Sequence, residues 1–415
     1  MHSDEYARFA QRLYETNTIS DPWIEGNERF RLEPIVLDHH LHQRFIVATE
    51  RIGGLLDELA RIVWDMPELL DGFFNLTPYQ KGMWISSGGR WHGIARMDLF
   101  VLDDGSIRCC EVNSDTPSGE AEAVLVNRIL HEDHPGMIDP NRDLPELFLQ
   151  MALGSWRGLP ETSRNSLPSV GILYPTDLPE DLSMIAMYRE WFSALGCPVV
   201  LGSPYNVHRR AGGAISLFDR PIDLLIRHYK TDWWGERRPV WLDAPEYNDP
   251  DPLDPHLGNV LQADMQGQLV VVNPFGSVVT QNKLAMAMMW EHIDLFSQDA
   301  RATIVDYFPE ARRLDTSDPD DLQRLEWVLK SDYGCEGEEV VVGPFVSDDI
   351  WKLSLEQAVP GRWVAQRYFH ASEIDGSVPN YGAYMIAGRF AGYFTRLSPR
   401  ATDYTSVAAP TFVEP

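Results

Sequence analysis

The stretch ARMDLFVLDDGSIRCCEVNSDTPSG, residues 95–119, constrains the fold of this 415-residue chain more than any other. Two alternating runs flank Asp104-Gly105, the kind of dipeptide that a two-residue type I′ hairpin turn requires because both central residues take positive φ. With those two residues as the loop, Asp98 faces Glu111 and Arg96 faces Asn113. Strand side chains alternate with period two, so all four share one face. The opposite face, Met97, Leu99, Val101, Cys110 and Val112, is apolar and would seat the hairpin on a core.

Two opposed carboxylates repel, and a hairpin that tolerates them usually holds something cationic between them. Asp98, Glu111 and Asn113 supply hard oxygen ligands suited to Mg²⁺, and Arg96 would reach an anion held by that metal. A solvated surface hairpin with ordinary ion pairs stays open as an alternative, because a slip of one residue flips a strand's faces.

The surrounding pattern reads as mixed α/β with four parts. Residues 1–75 carry helical spacing, as in HQRFIVATERIGGLLDELARIVWDM. Residues 76–165 hold the hairpin and then SGEAEAVLVNRILHE, a helix that Ser118 can cap, with Glu120 and Glu122 in its first turn. Residues 166–243 read as strand, helix, strand, strand, a small α/β unit. Residues 244–415 open with the Pro- and Asp-rich APEYNDPDPLDPHLG, then alternate helix and strand through QNKLAMAMMWEHIDLF, EWVLKSD, EVVVGPF, RWVAQRYF, YGAYMIAGRF and AGYFTRLS.

Charge narrows the partners. Lys and Arg number 35 against 62 Asp and Glu, a net charge of −27 that disfavours nucleic acid and anionic lipid but not a small cation. The four cysteines form no CxxC pair, so a reducing cytoplasm is expected, and no run of about 18 apolar residues suggests a membrane span. HHLH at residues 39–42 and HEDH at residues 131–134 lack the spacing of a helical zinc site and read as surface histidines. Glu246, Asp249, Asp251 and Asp254 would attract a cationic amine, though a solvated loop explains them as well.

ARMDLF followed by EVNSDTPSGEAEA resembles the R-x-D and E-x-N-x-D-T motifs of the glutathionylspermidine synthase family, in its synthetase part and without an amidase segment ahead of it. QNKLAMAMMWEH, with Asn282 and Lys283, resembles that family's S-N-K helix, and WVLKSDYGCEGEEVVV its strand and glycine loop, with Lys330, Gly334, Glu336 and Gly337 matching. AGYFTRLSPRATDYTSVAAPTFVEP is similar to the closing strand and tail, with Arg396 in the Arg position. The departures are Asp332 close behind Lys330, where the family often has Pro nearby, and Cys335 in place of a basic residue.

The resemblance implies an ATP-grasp fold and an ATP- and Mg²⁺-dependent ligase that joins a carboxylate to an amine through an acylphosphate. Asp98, Glu111 and Asn113 would hold Mg²⁺ and Arg96 would stabilise the reacting anion. Lys283, Lys330, Gly334, Gly337 and Arg396 would serve the nucleotide phosphates, Gln366 and Tyr368 the adenine, and Thr116 and Ser118 the acid substrate. The chain is expected to be a cytoplasmic monomer or homodimer acting on small molecules. A non-catalytic nucleotide-binding relative and a ligase acting on a peptide or carrier-bound acid are the alternatives.

Overall fold

The computed structural model describes residues 4–159, 166–176, 181–235, 238–246, 251–334 and 339–415. Its centre is a five-stranded antiparallel sheet in the order Val407–Ala409, Arg389–Ser398, Val378–Ile386, Ile94–Val101, Ile107–Asn113. The hairpin is therefore the edge pair of a sheet completed by C-terminal strands. On one face, Met97, Leu99, Cys109, Tyr381, Ala383, Met385 and Tyr393 enter the main core. The 27-residue helix His39–Asp65 packs there, its start fixed by Leu41 N donating to Asp38 Oδ1 at 2.7 Å. Phe45, Ala48, Ile52, Leu55, Leu56, Leu59 and Val63, recurring at three and four, form its buried stripe.

The hairpin register is as expected at the polar end, where Arg96 pairs with Asn113 and Asp98 with Glu111. The turn is different. Leu102 N donates to Ser106 O at 2.9 Å, leaving a three-residue loop in which Gly105 alone has positive φ, +79°. Leu99 then pairs with Cys109, and Cys110 is an extra, unpaired residue. This β-bulge cancels the slip that the longer turn introduces. It also corrects the face of Cys110, which lines the cavity described below while Cys109 takes the core position.

A second antiparallel sheet, Ala311–Arg313, Trp363–Arg367, Trp327–Ser331, Val340–Val342, stands across from the first. Trp327, Leu329, Trp363 and Ala365 pack with Leu322 and with Trp351 of helix Asp348–Gln357. By period two, Val328, Lys330, Val340, Val342 and Gln366 face the other way, into the cavity.

The third sheet is parallel, in the order Val270–Val272, Leu224–Arg227, Val170–Leu173, Val199–Gly202. Its apolar runs are covered on both sides, as parallel strands require. Helices Leu144–Arg157 and Leu182–Ala194 lie over one face, and the meander Val207–Arg209, Ile215–Leu217, Arg220–Ile222 over the other. No helix among the described residues is long and apolar enough to cross a membrane.

Candidate active site

The two antiparallel sheets enclose a cavity of about 1180 Å³ that extends to His228 and Lys230, just beyond the carboxyl end of a parallel strand. Ligands in open α/β sheets bind outside those strand ends. Of the thirteen residues expected at a site, eleven line this cavity: Arg96, Asp98, Glu111, Asn113, Thr116, Ser118, Lys330, Gly334, Gln366, Tyr368 and Arg396. Lys283 sits one layer behind, and Gly337 lies outside the described residues.

Asp98 is the hub of the central-sheet wall. Its Oδ1 accepts from Arg96 Nε at 2.9 Å, and its Oδ2 from an Arg396 terminal nitrogen at 2.6 Å and Asn380 Nδ2 at 3.3 Å. Burial alone would raise the Asp98 carboxyl, but the two guanidinium groups outweigh it and hold it well below the usual carboxylate range. Arg96 also donates to Ser118 O at 2.7 Å. Its side chain lies across Gly382, where an added Cβ would come within 2.8 Å of Arg96 Cδ. With its amide oriented to satisfy both neighbours, Asn113 accepts from Arg96 at 3.2 Å and donates to Glu111 Oε1 at 3.3 Å.

Lys283 Nζ is 3.4 Å from Glu111 Oε1 and donates to Gly334 O. Lys330 Nζ donates across the cavity to the bulge carbonyl of Cys110 at 2.8 Å, and Gln366 Nε2 reaches the same oxygen at 3.4 Å. Val328, Val340, Val342, Phe345 and Phe100 give the space beside Gln366 and Tyr368 an apolar lining. Burial pushes the Cys110 thiol up to about 12 and the Cys109 thiol well above its ordinary value, so both stay protonated at neutral pH.

Residues 81–414 match the model of the glutathionylspermidine synthase preATP-grasp family. The chain belongs to this family. A glutathione synthetase like-effector from Globodera pallida has a similar structure, with a TM-score of 0.62 over 99% of this chain and 96% of that one. The two are 10% identical, so the likeness is one of fold. A protein from Methylobacillus flagellatus KT assigned as a gamma-glutamylcysteine synthetase aligns over 92% of this chain and 88% of its own at 13% identity, with a TM-score of 0.47. No curated protein matches the chain in sequence. The chain is a mixed α/β protein with the fold of ATP-grasp-type synthetases.

Among the described residues no cluster of three or more His, Cys, Asp or Glu side chains is placed to hold a metal ion. A cation at the hairpin would draw on the Asp98 and Glu111 carboxylates and on amide oxygens, a donor set that fits a hard divalent ion. One histidine of each of the two stretches is engaged elsewhere: His42 Nδ1 with Tyr393 OH at 2.9 Å, His131 Nε2 with Met137 O at 2.8 Å. Asp115, inside the same motif, has a scaffold role. It accepts from Arg227 at 2.6 Å, Ser277 Oγ at 2.8 Å, Thr231 N at 2.7 Å and Thr231 Oγ1 at 3.1 Å.

Several groups escaped the sequence reading. Asn380 is one, and the far end of the cavity holds the others. There His228 Nε2 lies 3.1 Å from Asp181 Oδ1; burial pushes the imidazole down, but Asp181 outweighs this and raises it. Glu122 pairs with Arg29 at 2.6 Å, an ion pair that links the helix Glu120–His131 to the N-terminal part of the chain. Ser118 does not cap that helix. Gly119 takes the N-cap position at φ +92°, with Phe394 only 2.3 Å from where a Cβ would stand. The acidic residues Glu246, Asp251 and Asp254 are absent from the cavity lining, and Asp249 lies outside the described residues.

Glu120 is fully buried behind this end, with Tyr188 OH donating to Oε1 at 3.3 Å and no partner for Oε2 among the described residues. Burial pushes its carboxyl up to about 7 from 4.5. The folded chain therefore holds the proton more tightly, and stability falls as pH rises from about 4.5 through about 7. The shift corresponds to on the order of 3 kcal/mol between those limits. Glu120→Gln is expected to flatten that slope, measured by urea unfolding at pH 5 and pH 8; an unchanged slope would assign the pH dependence to other groups.

Proposed function

We propose that this chain is an ATP- and Mg²⁺-dependent ligase that forms an amide from a small carboxylic acid and an amine. The observation that carries the reading is one cavity with carboxylates and two arginines on one sheet and a lysine beside an apolar slot on the other. The strong negative charge of the chain suits a cationic amine, and a cytoplasmic setting fits the few cysteines.

In this reading the adenine lies between Val328, Val340, Val342 and Phe345, with Gln366 and Tyr368 at its edge. Lys330 and Arg396 neutralise phosphates, Lys283 supports Glu111 from behind, and Gly334 lets backbone N–H groups approach. Asp98, Glu111 and Asn113 would hold Mg²⁺, which supplies charge neutralisation between the phosphates. The acid's carboxylate oxygen attacks the γ-phosphorus, the bond to ADP breaks, and an acylphosphate forms. The amine nitrogen then attacks the carbonyl carbon, the C–N bond forms as the C–O bond to phosphate breaks, and the amine's proton leaves. Arg96, already held by Asp98 and Ser118 O, faces the anionic oxygens of both steps. Thr116 and Ser118 border the space left for the acid.

The test is release of ADP and phosphate with ATP and Mg²⁺, across glutathione and amino acids, each with and without spermidine and other amines. Release that needs both an acid and an amine is the expected result. Nucleotide binding with no release under any pair would overturn the small-molecule ligase reading.

A further inference from the structure

We propose that Asn380 is an additional oxygen donor to the divalent cation held by Asp98, Glu111 and Asn113. This rests on the metal–nucleotide reading above and adds a residue that no motif in the hairpin contains.

Asn380 is 2% exposed and lines the cavity on strand Val378–Ile386. Its Nδ2 donates to Asp98 Oδ2 and to Thr402 Oγ1, each at 3.3 Å. These bonds fix the amide orientation, because the opposite one would aim Oδ1 at a carboxylate. The outcome is a buried Oδ1 with no partner among the described residues. An unmet buried acceptor carries its full desolvation cost, so a fold that keeps one has left it for something else.

The neighbouring position repeats the pattern with opposite polarity. Arg396 is the direct cross-strand partner of Asn380, and its Nε is a buried donor that also lacks a partner among the described residues. An unmet acceptor and an unmet donor on cross-strand partners whose other nitrogens both bond Asp98 match a cation and an anion bound side by side, as in a metal phosphate. An amide oxygen suits a hard divalent cation and adds a donor without adding charge. That matters at Asp98, whose charge two arginines already offset. Asn380 would act directly or through one metal-bound water, since Mg²⁺ keeps several of its waters.

The experiment uses the full chain, Mn²⁺ as a spectroscopic stand-in for Mg²⁺, and the non-hydrolysable ATP analogue AMP-PNP. Mn²⁺ affinity is read by electron paramagnetic resonance with the analogue present, and analogue affinity is read separately without metal. Asn380→Leu and the smaller Asn380→Ser are compared with the unaltered chain, with thermal unfolding to verify folding. The expected result is Mn²⁺ affinity weakened about tenfold or more in both variants, with metal-free analogue affinity within about twofold. Unchanged Mn²⁺ affinity in a folded variant would overturn the proposal, as would an equal loss of metal-free analogue affinity, which marks a structural role. If the unaltered chain binds no Mn²⁺ with the analogue, the metal–nucleotide reading itself fails, and the proposal with it.

Discussion

Asp98→Ala is expected to abolish the proposed ATP turnover and to destabilise the fold at the same time. Removing this carboxylate leaves the Arg96 and Arg396 guanidinium groups buried next to each other without the carboxylate that pairs with both. Breaking a buried pair in this way costs roughly 3–5 kcal/mol. The loss of turnover should be about a thousandfold or greater, the scale seen when a preorganised charge at a reacting centre is removed. Asp98→Asn preserves the shape and one acceptor, so it should recover part of the stability without the turnover. Urea unfolding and initial rates of ADP release check both effects. Since the folded state holds the Asp98 carboxyl below its usual range, its stabilisation is present above the ordinary carboxylate values and is lost as pH falls toward the native value. The alanine variant should accordingly lack part of the acid limb of the stability profile. ADP release within tenfold of the unaltered chain would remove Asp98 from the chemistry.

Asp115→Ala is expected to cost as much in stability for a different reason. Arg227, whose side chain is fully buried, donates to Asp115, to the carbonyl of Tyr229 at 2.6 Å and to that of Asn273 at 3.3 Å. Asn273 in turn bonds Ile94 O at 2.7 Å, Ser114 O at 2.9 Å and Asp115 O at 3.0 Å. The segment after Glu111 and Asn113 is thus pinned to the ends of the parallel strands by one connected network. A loss of roughly 3–5 kcal/mol is expected on leaving Arg227 unpaired. Pairing Asp115→Leu with Arg227→Met should restore part of it, because a buried ion pair can be replaced by apolar side chains at smaller cost than it can be broken. A urea-unfolding double-mutant cycle reads the coupling, and additive losses would show that the two side chains act independently.

The hairpin's polar face was legible because alternation and an Asp-Gly turn are local signals. Its register was right through two offsetting departures: the turn has three residues where two were expected, and the bulge at Cys110 takes up the difference. Two adjacent cysteines suit either face, so no local pattern marks the bulge. Asn380 was hidden by distance in sequence, since its meaning comes from Asp98, 282 positions away. Glu120 reads as an ordinary acid of a helix's first turn, and only tertiary burial by Tyr188 and its neighbours makes it unusual. Ser118 has the chemistry of a cap, yet Gly119 occupies that position in a left-handed conformation that a side chain would strain.

The bulge also bears on how this chain tolerates change in length. Its hairpin carries one residue more than the register of its polar face needs: with Cys110 removed, Asp98 would still stand opposite Glu111, and Arg96 opposite Asn113. What would disappear is the carbonyl that Lys330 and Gln366 grasp from the facing sheet. Over evolutionary time, loss of that single codon would keep the pairing of Arg96, Asp98, Glu111 and Asn113 and be felt instead at the seam between the two sheets, where one backbone oxygen keeps the walls of the cavity in step.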